Sequence, residues 1–281
     1  MYTFDFLREV IHGDKYRAAA DIVIDGEPTY DQAQYICNNS CIIFCKTDYI
    51  FMLFEILLTS PNKRYVLITH NSDYAIDFRY WESKPTNIIR WYALNVAYKH
   101  PDLVPIPSGM ERPLGCGYSS DANVLFEQMQ KPRIIKNIVY MNHNSNNNHG
   151  ERDIVDSHFE GKSWVTVRKH GTSFKDFIEN CHNHSFVISP PGNGIDCHRT
   201  WEALYMGAIP IVKRSLVTEA FVDLPILIVE DWTTITEEIL NIILEEFKEM
   251  KFNYEKLTLS YWINRIKSDK IYLKEGANEQ T

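Results

Sequence analysis

Between Ser185 and Val212 the chain reads SFVISPPGNGIDCHRTWEALYMGAIPIV, and this stretch limits the fold more than any other. Phe186-Val187-Ile188 is an apolar run of the kind that fills a buried strand. Ser189 to Gly194, SPPGNG, can neither extend that strand nor sit inside a helix, so it is a loop. A helix fits from about Cys197 to Met206, and Gly207 is placed to end it. Ile209-Pro210-Ile211-Val212 then makes a second strand. Strand, glycine loop, helix and strand in this order form one unit of a parallel α/β sheet.

Inside that helix His198 and Glu202 are four apart and Arg199 and Glu202 three apart. At 3.6 residues per turn they share a face, while Trp201 and Leu204 turn toward a core. The three polar groups follow a loop at the carboxyl end of a strand, where open α/β sheets bind ligands. The helix N-terminus and the backbone amides around Gly192, Asn193 and Gly194 favour a phosphate, to which Arg199 adds a fixed positive fork. Glu202 can accept two hydrogen bonds from a vicinal diol such as a ribose. Asn193 and Asp196 can read further hydroxyls. The competing reading is a solvated charged helix face after an ordinary turn.

The run S-P-P-G-N-G-x-D-C-H-R-T-W-E-A-L-x-x-G-A-I-P-I-V resembles the donor-binding segment of exostosin-like glycosyltransferases, and E-A-L-x-x-G-x-x-P is widespread in GT-B enzymes. Residues 64–106 also resemble soluble, single-chain members of that family. Its W-x-A-x-N followed by I-P-x-G matches Trp91, Ala93 and Asn95 and then Ile106, Pro107 and Gly109, which implies that Trp91, Asn95, Ser108 and Gly109 line a cleft; by itself Trp91 reads more often as a core ring than as a sugar platform. The resemblance implies a GT-B fold, an α/β chain of two Rossmann-like domains facing a central cleft. It also implies a UDP-sugar donor, UDP-xylose being one candidate, and an oligosaccharide acceptor.

Elsewhere strands and helices alternate through both halves. The strand Tyr65 to Thr69 ends in His70-Asn71-Ser72-Asp73-Tyr74. Transfer to a hydroxyl needs a group that takes its proton. Asp73 is the first candidate for that catalytic base and His70 the second, the alternative for Asp73 being a helix cap. In the second half, Asn137 to Met141 is a strand, the Asn-rich loop 142–150 follows, and Arg152 stands near the start of a helix, which makes a second anion site or a solvated arginine. Lys169 and His170 follow a strand at 164–167 and could hold phosphate or a pyrimidine. The break Lys131-Pro132-Arg133 divides an acceptor-binding domain, 1–133, from a nucleotide-sugar-binding domain, 134–281, with the last helix free to cross back.

The formal charge of −8 argues against a nucleic-acid surface. No apolar run is long enough to span a bilayer, and MYTFDFLREV lacks the order of a signal peptide, so a cytoplasmic enzyme is expected, in the host cytoplasm if the source is viral. The six cysteines contain no Cys-x-x-Cys pair and read as reduced thiols. No Asp-x-Asp triplet occurs, so transfer without a metal or other cofactor is expected, as a direct displacement that inverts the anomeric carbon. Two rivals stand beside it. A nucleotide-sugar dehydrogenase would need the G-x-G-x-x-G spacing that PPGNGID lacks. A non-catalytic glycan- or nucleotide-binding protein could keep the same fold.

Overall fold

Short, continuous apolar runs form strands buried on both faces, as parallel sheets require. The computed structural model describes residues 5–111, 121–168 and 172–273. Among these it contains two five-stranded sheets, each parallel throughout. The first has β1 (Ile22–Ile24), β2 (Cys41–Lys46), β3 (Tyr65–His70), β4 (Ile88–Ala93) and β5 (Leu103–Pro105). The second has β6 (Asn137–Met141), β7 (Val165–Val167), β8 (His184–Ile188), β9 (Ile209–Lys213) and β10 (Leu227–Val229). The α/β class and its two Rossmann-like sheets are as the alternation of elements implies.

By contacts the chain divides into two compact units. Described residues of Met1–Val10 and Gly109–Leu257 carry β6–β10; those of Ile11–Ser108 and Thr258–Thr281 carry β1–β5. The division falls at Ser108/Gly109, earlier than the break around Pro132 suggests. Arg133 explains why that break is no linker. Its Nε and Nη2 donate to the carbonyls of His182 and His184 at 2.8 and 2.7 Å, which fixes it to the start of β8. The helix Ala122–Met129 also packs on the helix Phe174–His182 of the same unit.

In the β1–β5 unit the strands lie in chain order, β1-β2-β3-β4-β5. Every crossover therefore steps the same way, and right-handed crossovers put their helices on one face. Those helices are Tyr30–Asn38, Ile50–Leu58 and Phe78–Glu82. The opposite face of β2 and β3 is covered from elsewhere in the sequence, by Arg17–Ala19 and by the terminal segment from Leu259 to Leu273. Trp262, Ile266 and Leu273 of that segment are buried. Tyr92 Oη donates to Asp269 Oδ2 at 2.6 Å, and Arg90 Nε lies 3.3 Å from the same carboxylate oxygen.

In the β6–β10 unit the order is β10-β9-β8-β6-β7. The chain steps from β6 out to β7, returns past β6 to β8, and continues to β9 and β10. The direction reverses between β6 and β8, so the loops leaving these adjacent strands part from each other and open a crevice at their carboxyl ends. Side chains alternate along the strands. Val139, Met141, Phe186, Ile188, Ile209 and Ile211 pack in one core with Val155, Phe159, Trp232 and Leu240. The helix His198–Tyr205 ends as its sequence requires: Gly207 has φ 73°, Ala208 N–H donates to Ala203 O and Gly207 N–H to Leu204 O, both at 3.0 Å. That left-handed turn suits glycine. No helix among the described residues is long and apolar enough to cross a membrane.

Candidate functional site

The loops after β6 and β8, residues 142–148 and 189–197, meet at the strand-order reversal, and two arginines stitch them together. Arg152, from the helix His149–Phe159, is 3% exposed. Its Nη1 donates to Asn144 O at 2.6 Å, its Nε to Pro191 O at 2.9 Å and its Nη2 to Pro190 O at 3.4 Å. One guanidinium thus holds three carbonyls from the two loops. It is neither the solvated arginine nor the freely directed anion ligand that its place in the sequence offers. Burial lowers its basicity, and the nearby charge of Arg199 lowers it further.

Arg199, in the first turn of the helix His198–Tyr205, donates from Nε to Asn142 O at 2.7 Å. Its Nη1 is shut off from solvent and, among the described residues, has no hydrogen-bond partner. A buried guanidinium nitrogen left unpaired costs roughly 1–3 kcal/mol or more, so its place calls for an acceptor. Beside it the helix begins with Cys197 at the N-cap, and no side chain caps it. The thiol donates instead to Pro190 O at 3.3 Å. Helices Phe174–His182 and Glu237–Glu249 of the same unit are capped by Ser173 and Thr236. At the head of the 198–205 helix the Asp196 carboxylate accepts the Cys197 N–H at 2.8 Å, and Thr200 N–H donates to Cys197 O at 3.0 Å.

Gly192 is fixed by close approach. A Cβ there would stand 2.7 Å from Arg152 Nη2 and 3.5 Å from its Cζ. The guanidinium cannot retreat without breaking its carbonyl bonds. Gly192→Ala is expected to shift the 189–197 loop, and any anion held there should bind about tenfold more weakly, the equivalent of roughly 1.4 kcal/mol. Calorimetric titration of the variant against the parent measures it, and an unchanged affinity would show that the loop tolerates the displacement. The Gly192 N–H is already used, donating to Gly194 O at 3.1 Å, and Asn148 Nδ2 donates to Gly192 O at 3.3 Å.

Glu202 is 4% exposed, buried rather than on a solvated face. Its Oε1 accepts the Glu111 N–H at 3.2 Å. Burial pushes its carboxyl up, against opposing pulls from His198 and from that N–H. His198 Nδ1 donates to Gly109 O at 2.8 Å, and its Nε2 faces Glu111 Oε2 at 3.8 Å. Asp196 accepts the Trp201 indole N–H on both oxygens, at 3.0 and 2.8 Å, and anchors the loop to the core. Asn193 is exposed, and Lys169 and His170 lie outside the described residues.

Two residues of this neighbourhood give little sign of themselves in the sequence. Glu111 meets Glu202 from a point far earlier in the chain. His143 stands in the Asn-rich loop, legible as a loop but with nothing to mark its one buried ring.

In the β1–β5 unit His70 ends β3 and is buried. Its Nδ1 lies 2.8 Å from Asn71 N and 3.0 Å from Asn71 Oδ1, and its Nε2 lies 3.2 Å from Pro107 O. Asp73 is exposed, and among the described residues it has no hydrogen bond or ion pair. The next helix is capped by Asp77, which accepts from the amides of Arg79 and Tyr80. Trp91 is a core ring rather than a sugar platform: it is fully buried and donates from Nε1 to Thr69 Oγ1 at 2.8 Å. Asn95 and Ser108 are also buried.

No family model and no curated protein matches the chain. Among solved structures, 14 chains match. The crystal structure of an alpha1,3-fucosyltransferase aligns over 92% of this chain and 90% of its own, with 10% identity and a TM-score of 0.45. A GtfA/B complex aligns over 89% of this chain and 61% of its own, with 11% identity and a TM-score of 0.34. Neither likeness bears on which residues act.

Proposed function

We propose that the protein is a GT-B-type glycosyltransferase whose β6–β10 unit binds a nucleoside-diphosphate sugar, a UDP-sugar in the first instance. The observation that carries the reading is the unpaired, buried Nη1 of Arg199 beside the uncapped start of the 198–205 helix, at the strand-order reversal. A diphosphate supplies acceptors to that guanidinium nitrogen and to the amides of the helix's first turn. Arg152 positions the two loops, and Glu202, held by the Glu111 amide beside His198, takes the ribose hydroxyls. The likeness of residues 189–212 to exostosin-like donor segments supports the same assignment, with UDP-xylose one of the donors to test.

In the reaction an acceptor hydroxyl oxygen bonds to the anomeric carbon as the bond from that carbon to the diphosphate breaks, and the configuration inverts. Asp73 takes the hydroxyl proton in this proposal. Unlike His70, whose ring nitrogens are both engaged, it has a carboxylate free for the task. Arg199 and the helix amides offset the charge that builds on the leaving diphosphate. The absence of an Asp-x-Asp triplet from the sequence supports transfer without a metal.

Titration with UDP-, GDP- and ADP-sugars and with NAD tests the class. Binding of a nucleotide sugar, with NAD silent and EDTA without effect on transfer, is the expected outcome; NAD binding alone would replace it with a dehydrogenase. Asp73→Asn should lower kcat by about 10²–10⁴-fold with donor affinity unchanged. Full activity in a folded variant would place the base elsewhere. A second reading, a nucleotide- or glycan-binding protein without catalysis, draws on Asp73 having no orienting partner among the described residues. It forecasts donor binding with neither transfer nor hydrolysis.

A further inference from the structure

His143 follows Asn142 and precedes Asn144, and the carbonyls of those two neighbours are the ones held by Arg199 and Arg152. The ring therefore sits at the point where two guanidinium groups converge on one loop. Its side chain is 1% exposed. Nε2 pairs with Asp156 Oδ1 at 2.9 Å, and among the described residues Nδ1 has no hydrogen-bond partner. A buried imidazole nitrogen without a partner is costly, and nothing in the fold described above uses Nδ1.

We propose that His143 is the third cationic group of the diphosphate site, and that it binds a proton as the donor binds. The inference rests on the nucleotide-sugar reading of the same site. The charged groups around the ring are Arg199 from the 198–205 helix, and Arg152 and Asp156 from the 149–159 helix. Asp156 is itself shared, its Oδ2 accepting from Ser145 Oγ. In the free protein burial pushes the imidazole well below its ordinary range, Arg199 and then Arg152 push the same way, and Asp156 opposes them. The ring is accordingly neutral near pH 7. A diphosphate reverses the local potential: it neutralises the two guanidinium groups and adds negative charge, so the protonated ring becomes favourable in the complex. The proton comes from solvent, and no bond of the donor is broken.

The sign follows from linkage. A group with a higher pKa in the complex than in the free protein strengthens binding as pH falls between the two values, and contributes nothing above both. Affinity for the donor should rise roughly tenfold from about pH 8 to about pH 5, with an uptake of up to ~1 proton per donor between them. The probe is an intact UDP-sugar, because its diphosphate has no terminal phosphate to titrate near pH 6. Isothermal titration in two buffers of different ionisation enthalpy gives the uptake directly. The parent should take up a proton, and His143→Gln should bind with no uptake and a flat pH profile.

If H143Q loses binding altogether, ring ¹⁵N spectra of the unchanged chain carry the test, one neutral imidazole becoming imidazolium as donor is added. Donor binding without proton uptake in the parent, uptake that persists in H143Q, or histidine rings that all keep their charge state would overturn the role of His143 and leave the nucleotide-sugar site standing. Absence of binding by any nucleotide sugar would instead remove the site, and this inference with it.

Discussion

A chain ending at Leu257 should lose the folded β1–β5 unit. The strands of that sheet lie in chain order, so its own crossovers cover one face, and the other depends on residues 258–273 and the short turn at 17–19. Removing the segment takes away Trp262, Ile266 and Leu273, all buried. At about 1.5–3 kcal/mol for each large apolar side chain, the loss is roughly 5–9 kcal/mol before any unpaired polar group is counted. It also strips Tyr92 Oη of Asp269, which accepts its proton at 2.6 Å, and leaves the buried hydroxyl at a cost of about 1–3 kcal/mol. A domain is stable by about 5–15 kcal/mol in total, so the truncated unit has little or nothing left.

Hydrogen exchange across β2 and β3 measures this. Protection should collapse in the truncated chain, and the full-length Trp262→Ala variant should fall by about 3–5 kcal/mol. Unaltered protection of β2 and β3 in the truncated chain would show that the segment lies on the sheet without holding it.

Arg199→Ala should lower affinity for the nucleotide-sugar donor about 10- to 150-fold, the range given by one charge-assisted hydrogen bond of roughly 1.5–3 kcal/mol. The side chain has one anchored nitrogen, Nε on Asn142 O, and one buried nitrogen without a partner. The anchor fixes the fork, and the unpaired nitrogen is what an anion would meet. Arg199→Lys separates charge from geometry: it keeps the cation but loses the second donor, and should recover only part of the affinity. The parent's affinity should also fall with added salt, less steeply than for an exposed cation because the nitrogen is screened from solvent. Calorimetry at two ionic strengths checks each point. An alanine variant within threefold of the parent would mean that the donor is held elsewhere.

Much of the site's scaffold was legible as spacing. The 3.6-residue period put His198, Arg199 and Glu202 on a common face, and the need for a left-handed residue after Met206 marked Gly207 as the helix end, where the structure gives it φ 73°. Apolar runs between loops set the strands, because parallel strands are dry on both faces and show it in their composition. Arg152 was legible as a residue near an anion-binding loop, but not as the buried clamp that it is. A guanidinium looks the same in sequence whether it meets a ligand or three main-chain carbonyls. Trp91 is similar: an aromatic residue reads alike as a core ring and as a sugar platform, and the hydrogen bond to Thr69 decides between them.

By itself, then, the sequence determined the elements, their alternation and one helix face, because those follow from local periodicity and backbone preference. The order of the strands in each sheet came from tertiary structure alone. That order placed the reversal between β6 and β8, left one face of the first sheet to residues 258–273, and brought Glu111 to Glu202 and His143 between two arginines. Strand order is set by which apolar faces find one another across long stretches of chain, a competition among distant residues that no local pattern records.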